Sequence, residues 1–365
     1  MNESTSFLVF TNVFLYFLLF LVTWGGLKHK LSSSITKLSW LLCLVFCIFA
    51  YWGSDWFHYS QDYNEILQGG ETNLETIYVW FIKTYHPGYI LFRLMVWGSA
   101  LYCLYKTIKI LSIKQSIFIF FFSTIALMWF SYARASLAMS IAFLALALIS
   151  TPRFKKARAI GYLLLLSSVF FHKTGVFAII AVLLSQIMLH ASKKMLYLLF
   201  LSFPIITYVV ITYFEPFFNS MLISDFGTIS QYANAGSSYF WDDSGILMQS
   251  GIGKRISDIL EKFTYYMMAI TSTIFLIKKE KSIPNEIKAF ILCSLIIVVI
   301  SSSFYFGQNT MVLYGRFLRF SFIPSCVCLT YLSENFHKNK LIKYTYTIAI
   351  ISSIYALLYS FYNTF

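Results

Sequence analysis

Apolar runs of near-membrane length recur along this chain, and no other feature constrains its fold as strongly. A bilayer presents about 30 Å of hydrocarbon and takes about 20 apolar residues per crossing helix. Inside that layer the backbone must satisfy its own polar groups, which restricts spanning segments to helices or closed barrels. Twelve runs can be read, at about 7–26, 38–53, 88–105, 115–133, 135–150, 159–171, 175–191, 195–213, 263–277, 287–304, 317–333 and 343–362. They predict an all-α, polytopic membrane helical bundle of about 12 transmembrane helices, forming a single integral membrane domain over 1–365. The longest polar stretches, 54–87 and 214–262, are expected as outer loops. The chain is only 12% charged, against roughly a quarter in soluble domains. The run Phe7–Trp24 follows Glu3 rather than a basic segment, so it reads as a retained helix and not a cleaved signal.

Charge then orients the bundle. Alternate loops hold 19 of the 28 basic residues and three acids, Glu280, Glu286 and Glu334. The opposite side holds nine basic residues and twelve acids. Basic loops stay cytoplasmic, so both termini are expected outside. The net charge of +13 is thereby a topology signal, and no nucleic-acid partner is expected. The six cysteines, at 43, 47, 103, 293, 326 and 328, all fall in apolar runs and lack the further ligands of a zinc site, so they read as buried free thiols.

The nine basic residues outside this pattern include Lys83, Arg93, Arg134, Lys173, Arg316 and Arg319. Arg134 separates the fourth and fifth runs, and Arg316 and Arg319 open the eleventh. Arg93 lies 16 residues before Lys109, about 24 Å of helix, which is less than the hydrocarbon thickness. Charge at depth costs about 2.5 kcal/mol or more and is tolerated beside a wet cavity or a partner. Snorkelling to the headgroups is the competing account of each arginine. As a group without acids in their own helices, the arginines invite an anionic ligand, and guanidinium suits phosphate. The run 159–171 is broken by Phe171-His172-Lys173-Thr174-Gly175, a polar break that belongs against protein or a water-filled cavity.

The first outer stretch mixes acids with aromatics, including Asp55, Tyr59, Asp62 and Tyr63. Carboxylates bind sugar hydroxyls and rings stack on sugar faces, although an interfacial aromatic belt has the same composition. Asp55 falls just past a membrane run, where a base would meet a lipid-borne substrate. Gly251-Ile252-Gly253-Lys254 lacks the full spacing of a phosphate loop.

Several of these residues together resemble the EpsG family of exopolysaccharide polymerases, which are Wzy-like membrane proteins. Gly53-x-Asp55-x-x-x-Tyr59-x-x-x-Tyr63 looks like its outer-loop signature. Arg134-Ala-Ser-Leu137-Ala138 resembles its Arg-x-x-hydrophobic-Ala element, His172-Lys173-Thr174-Gly175 its His-polar-Ser/Thr-small element, and Arg316-Phe-Leu-Arg319-Phe320 its late Arg-aromatic element. The order matches across about 53–320. One departure stands at His86-Pro87-Gly88-Tyr89, where the family often has Glu before Pro-Gly-Tyr. A role carried by that Glu would fall here to Glu75 or His86.

The resemblance implies transfer of glycan from a polyprenyl-diphosphate donor to a lipid-linked repeat-unit acceptor at the outer face of a bacterial cytoplasmic membrane. Arg134 and Arg316, with Arg93, Arg319 and Lys173, would bind the departing diphosphate. His172 or Asp55 would be the base, with Tyr59, Asp62 and Tyr63 on the sugar. No cofactor and no metal is expected, because no closely spaced acidic pair lies at the membrane surface. Expected partners are the polyprenyl-diphosphate-linked oligosaccharide, membrane lipid, and a chain-length regulator or other export proteins. A lipid-linked oligosaccharide flippase, a membrane acyltransferase and an O-antigen-ligase-like enzyme are the rival readings. A transporter should show related halves, and none are visible.

Overall fold

The computed structural model describes residues 3–28, 31–50, 55–70, 74–130, 135–151, 157–172, 174–189, 193–214, 216, 252–306 and 311–362. Among the described residues every regular element is a helix. In chain order these are α1 (Glu3–Thr23), α2 (Ser33–Ile48), α3 (Asp55–Leu67), α4 (Thr76–Tyr85), α5 (Tyr89–Ile110), α6 (Gln115–Phe121), α7 (Leu127–Phe130) and α8 (Ala135–Ser150). They continue with α9 (Arg158–Phe171), α10 (Gly175–Leu189), α11 (Lys193–Val209), α12 (Ile252–Lys279), α13 (Asn285–Ser303), α14 (Met311–Arg319), α15 (Phe322–Asn335) and α16 (Lys340–Tyr362).

Two helices form the centre. α8 carries no charge and is rich in alanine, and nearly all of it is buried against α5, α9 and α10. Small residues let backbones approach where lipid offers no hydrophobic drive. A Cβ added to Gly161 of α9 would lie 2.8 Å from Ile149 Cγ1 and 3.2 Å from the Ala145 carbonyl oxygen of α8. α13 is buried along most of its length between α10, α11, α12 and α15. α16 packs on α12, and α1 and α5 on α2.

Hydroxyls in this interior are satisfied locally or across helices. Thr23, Ser140 and Thr330 donate to carbonyls one turn back. Ser294 and Ser325 share a 2.7 Å hydrogen bond between α13 and α15, as do Thr271 and Thr345 between α12 and α16. Between α6 and α7 the helix widens to a π-helix over Phe122–Ala126. Its Thr124 carbonyl accepts the Tyr16 hydroxyl at 2.6 Å, and its Ile125 carbonyl accepts Ser353 at 3.3 Å. Neighbouring side chains thus re-satisfy the irregular backbone, as a membrane interior requires. All six cysteines are free thiols, five of them buried.

Three segments are long and apolar enough to cross a membrane unaided: Val9–Gly26, Asn285–Phe306 and Lys340–Tyr359. Shorter apolar helices of 10–17 residues accompany them. At 1.5 Å per residue, a helix of that length falls short of the full hydrocarbon layer.

Several sequence expectations are corrected. The stretch 54–87 is not an open loop, because it contains α3 and α4. The stretch 214–262 ends in helix, since α12 starts at Ile252; residues 217–251 lie outside the described residues. The second run stops at Ile48 rather than 53. The eleventh run is two helices, so Arg316 and Arg319 close the short helix α14 instead of opening a long one.

Candidate functional site at one end of the bundle

The N-terminal turns of α5 organise this end. α3 and α4 pack together and onto α5 through a small apolar core of Tyr63, Ile66, Leu74, Tyr78, Ile82 and Phe92. Tyr63 rests against Tyr89 and Phe92, with centroids 5.7 and 6.2 Å away. Burial pushes its phenol above the ordinary range. Tyr63 was expected to offer a ring face to sugar; it is 5% exposed and serves this core instead. Asp62 on the same helix is partly exposed.

Arg93 is one turn further along α5. It is 5% exposed, which rules out snorkelling. Its Nε donates to the Ile48 carbonyl at 2.7 Å, Nη2 to the Cys47 carbonyl at 2.8 Å, and Nη1 to the Tyr89 hydroxyl at 3.3 Å. The last carbonyls of a helix lack intrahelical partners and carry partial negative charge, so a guanidinium there closes α2. Asn12 of α1 donates to the next carbonyl, Phe49, at 3.1 Å. Arg93 therefore holds helix ends together, and the diphosphate role expected of it must compete with that work. The guanidinium also lies over Trp97, and Trp97 meets Phe130 with centroids 5.7 Å apart. Phe130 and Ala135 flank the segment that carries Arg134, and Ser136 donates to the Phe130 carbonyl.

The break after α9 is real. His172 is extended, and its N–H bonds to the Ser168 carbonyl at 3.3 Å. The chain reverses at once into α10, and Gly175 makes that possible. A Cβ on it would sit 2.7 Å from the backbone of Ser168 and Val169. Thr174 donates its N–H to His172 Nδ1 at 3.2 Å, with its hydroxyl 2.7 Å from the same nitrogen. The opposite ring nitrogen, Nε2, lies 3.7 Å from Glu75 Oε1. Glu75 stands immediately before α4. Phe171 meets Tyr78 of α4, with centroids 6.5 Å apart.

A second ionic centre joins α12 to α14. Arg319 Nε donates to Glu261 Oε1 at 2.8 Å, and the Tyr265 hydroxyl donates to the same oxygen at 2.6 Å. Glu261 is 4% exposed. Alongside, Tyr266 shares hydrogen bonds with Ser302 at 2.6 Å and Tyr314 at 3.2 Å, and Lys262 lies over the Tyr314 ring. The two centres belong to the same end of the bundle. Phe177, half a turn into α10, stacks on Phe317 of α14 with centroids 4.3 Å apart, and Phe317 lies between Arg316 and Arg319 in sequence. Arg319 has no acid in its own helix, as expected, but it is not an unpaired cation, because Glu261 of another helix meets it.

Asp55 and Tyr59 lie on α3 and Arg316 on α14, while their side chains are outside the described residues, as are Arg134 and Lys173 entirely. Among the described residues, no group of three or more His, Cys, Asp or Glu could hold a metal ion. Sequence reading undervalued Glu75, naming it only as a substitute for a missing acid, and passed over Glu261. A signal for Glu261 existed. Ser257, Glu261, Thr264, Tyr265 and Met268 recur at helical spacing on the buried stripe of α12, and an acid on such a stripe needs a partner.

Among the described residues the fold is all-helical, and with its apolar segments it defines a membrane protein with buried ionic groups gathered at one end. The EpsG family model matches residues 38–365. The chain belongs to the EpsG family, which is associated with polymerases of polysaccharide biosynthesis and, at that level, with glycosyl transfer. No curated protein and no solved structure matches the chain.

Proposed function

We propose that the protein is a polysaccharide polymerase that transfers glycan from a polyprenyl-diphosphate donor to the sugar end of a lipid-linked repeat unit. The reading places about twelve crossings in the bacterial cytoplasmic membrane, with both termini and the His172 end outside. The observation that carries it is the meeting of Glu75 and His172 at a helix break, on the end that also bears the arginine helix α14. The acceptor hydroxyl attacks the anomeric carbon, the bond to the diphosphate breaks, and polyprenyl diphosphate leaves with the electron pair. Arg134, Arg316 and Lys173 are the sequence's cations for that departing charge, with Arg319 and Arg93 shared between it and their structural partners. The proton goes to a base among His172, Asp55 and Glu75, a step worth about 10²–10⁴ in rate. Donor energy comes from the diphosphate, so the chemistry needs no nucleotide sugar.

The test is reconstitution. Purified protein is given lipid-linked repeat units extracted from a strain that lacks it, with and without EDTA. Long chains in both arms support the reading, and activity lost to EDTA and restored by Mg²⁺ overturns the choice of arginines over metal. In the deletion strain, single lipid-linked units should accumulate on the outer face. Units trapped on the cytoplasmic face would mean a flippase, and transfer of finished glycan to another acceptor would mean a ligase.

A further inference from the structure

We infer that Glu75 is the general base of this site and that His172 is its positioning residue, an assignment that rests on the glycosyl-transfer reading above. Thr174 decides which nitrogen of His172 carries the proton. The Thr174 N–H points at Nδ1 from 3.2 Å. A backbone N–H can only donate, so Nδ1 must present its lone pair. The Thr174 hydroxyl, 2.7 Å away, donates to the same nitrogen. A flipped ring would put a carbon there and lose both contacts, so the geometry fixes the ring orientation as well.

Two consequences follow. In neutral imidazole the proton must be on Nε2, which faces Glu75 at 3.7 Å. The only lone pair of the ring is the one already engaged by Thr174. His172 in this state cannot accept a proton from a sugar hydroxyl without first giving up the turn that holds it. Protonating it at Nδ1 would also set an N–H against the Thr174 N–H. Glu75, with its side chain 9% exposed, is the carboxylate that the described residues bring to this break, and its two oxygens offer about four acceptor lone pairs. A closure of about 0.7 Å brings Nε2–H into hydrogen-bond range of Oε1, and catalytic hydrogen bonds are often long before substrate arrives. An Nε2–H donor on one oxygen aims the carboxylate.

The step balances simply. The acceptor O–H proton passes to Glu75 as the new C–O bond forms, and the donor's diphosphate takes the electrons of the broken bond. The packing suits the assignment. Glu75 is fixed at the start of α4 by the Tyr63–Tyr78–Phe92 core, and His172 by the reversal at Gly175. The acid thus comes from the outer helical pair and its aim from the membrane break, so the site is complete only when α3 and α4 are docked.

The test has a spectroscopic arm and a kinetic arm on full-length protein in lipid nanodiscs. With ¹⁵N-histidine labelling, the signal removed by His172→Gln should show an unprotonated Nδ1 and a protonated Nε2 in the wild type, with no substrate present. A protonated Nδ1 overturns the inference whether or not the protein polymerises anything. In the kinetic arm the probe is the lipid-linked unit extracted from the deletion strain. Glu75→Gln should lower kcat by about 10²-fold or more with little change in KM. His172→Gln, whose amide N–H can replace Nε2–H, should retain about a tenth of wild-type kcat, well above His172→Ala. If His172 were the base, Gln and Ala would be equally inactive there and Glu75→Gln would keep most of its rate. If wild type makes no polymer while the imidazole tautomer is as stated, the polymerase reading fails and the dyad stands.

Discussion

Gly175→Ala isolates the tight reversal between α9 and α10. The glycine's backbone conformation is open to any residue, so the effect of the substitution is steric. The new methyl would lie 2.7 Å from Ser168 C and Val169 N and 2.8 Å from Ser168 O. All three are backbone atoms of the last turn of α9 and cannot swing aside as a side-chain tip would. Ordinary contact begins near 3.4 Å, so α10 must retreat by about 0.7 Å. Overpacking of that kind costs about 1–3 kcal/mol. The retreat also carries Thr174, and with it the aim of His172 at Glu75. A misplacement near 1 Å can cost about 10²-fold in rate. The assay pairs the apparent melting point in nanodiscs with chain length in vivo. Gly175→Ala should melt several degrees lower and make short chains or none. Gly98→Ala is the control, because nothing lies within 4 Å of its new methyl and helix propensity favours alanine by about 1 kcal/mol. If the two variants melt alike and both make full-length polymer, the close approach does not control the site and the reasoning fails.

Other outcomes are equally checkable. Arg93→Met strips the guanidinium from the Ile48 carbonyl and from that of Cys47, which still accepts the Ala50 N–H at 3.4 Å, and should cost about 3 kcal/mol in stability from two charge-assisted bonds, read as lower melting and yield; unchanged melting would show that α2 does not need this cap. A double-mutant cycle on Glu261→Gln and Arg319→Gln should give a coupling of about 1–2 kcal/mol, since Arg319 is 31% exposed and partly screened; zero coupling would make the pair incidental. Phe177→Ala removes the stack on Phe317 and should cost about 3 kcal/mol and reduce polymer length, by loosening α14 from α10; a destabilised variant with normal polymer would uncouple the two centres. Gln61→Cys should react with an impermeant maleimide from outside intact cells and Lys338→Cys should not; the reverse labelling would invert the orientation.

The helical class was written in the apolar runs, and each of the twelve finds a helix within it, because burial and backbone satisfaction leave one answer in lipid. The break at His172 was legible for the same reason: fourteen residues of α9 cannot reach across, and the next residues are polar. What a single sequence could not supply was pairing between distant helices. Arg319 read as an unpaired cation because its acid, Glu261, lies 58 positions away. Arg93 read as a ligand site because nothing local announces that two carbonyls from α2 need it. Tyr63 looked like a sugar platform since an exposed aromatic and a buried one share the same letter, and only α4 folding over α3 tells them apart. Glu75 gained its importance when α4 brought it to a histidine almost a hundred residues downstream.

The widened turns at Phe122–Ala126 have a practical corollary. Such a stretch holds one residue more than a regular helix of equal rise, and each residue is worth roughly 100° of rotation. Deleting a single amino acid there would let the segment regularise without shortening its reach. The wide turn spreads its rotation over the extra residue, so after regularising Phe130 would keep its phase against Trp97. One codon's loss there should therefore be tolerated better than the same loss from the regular helix α8, where no spare residue exists and all that follows would turn by roughly 100°.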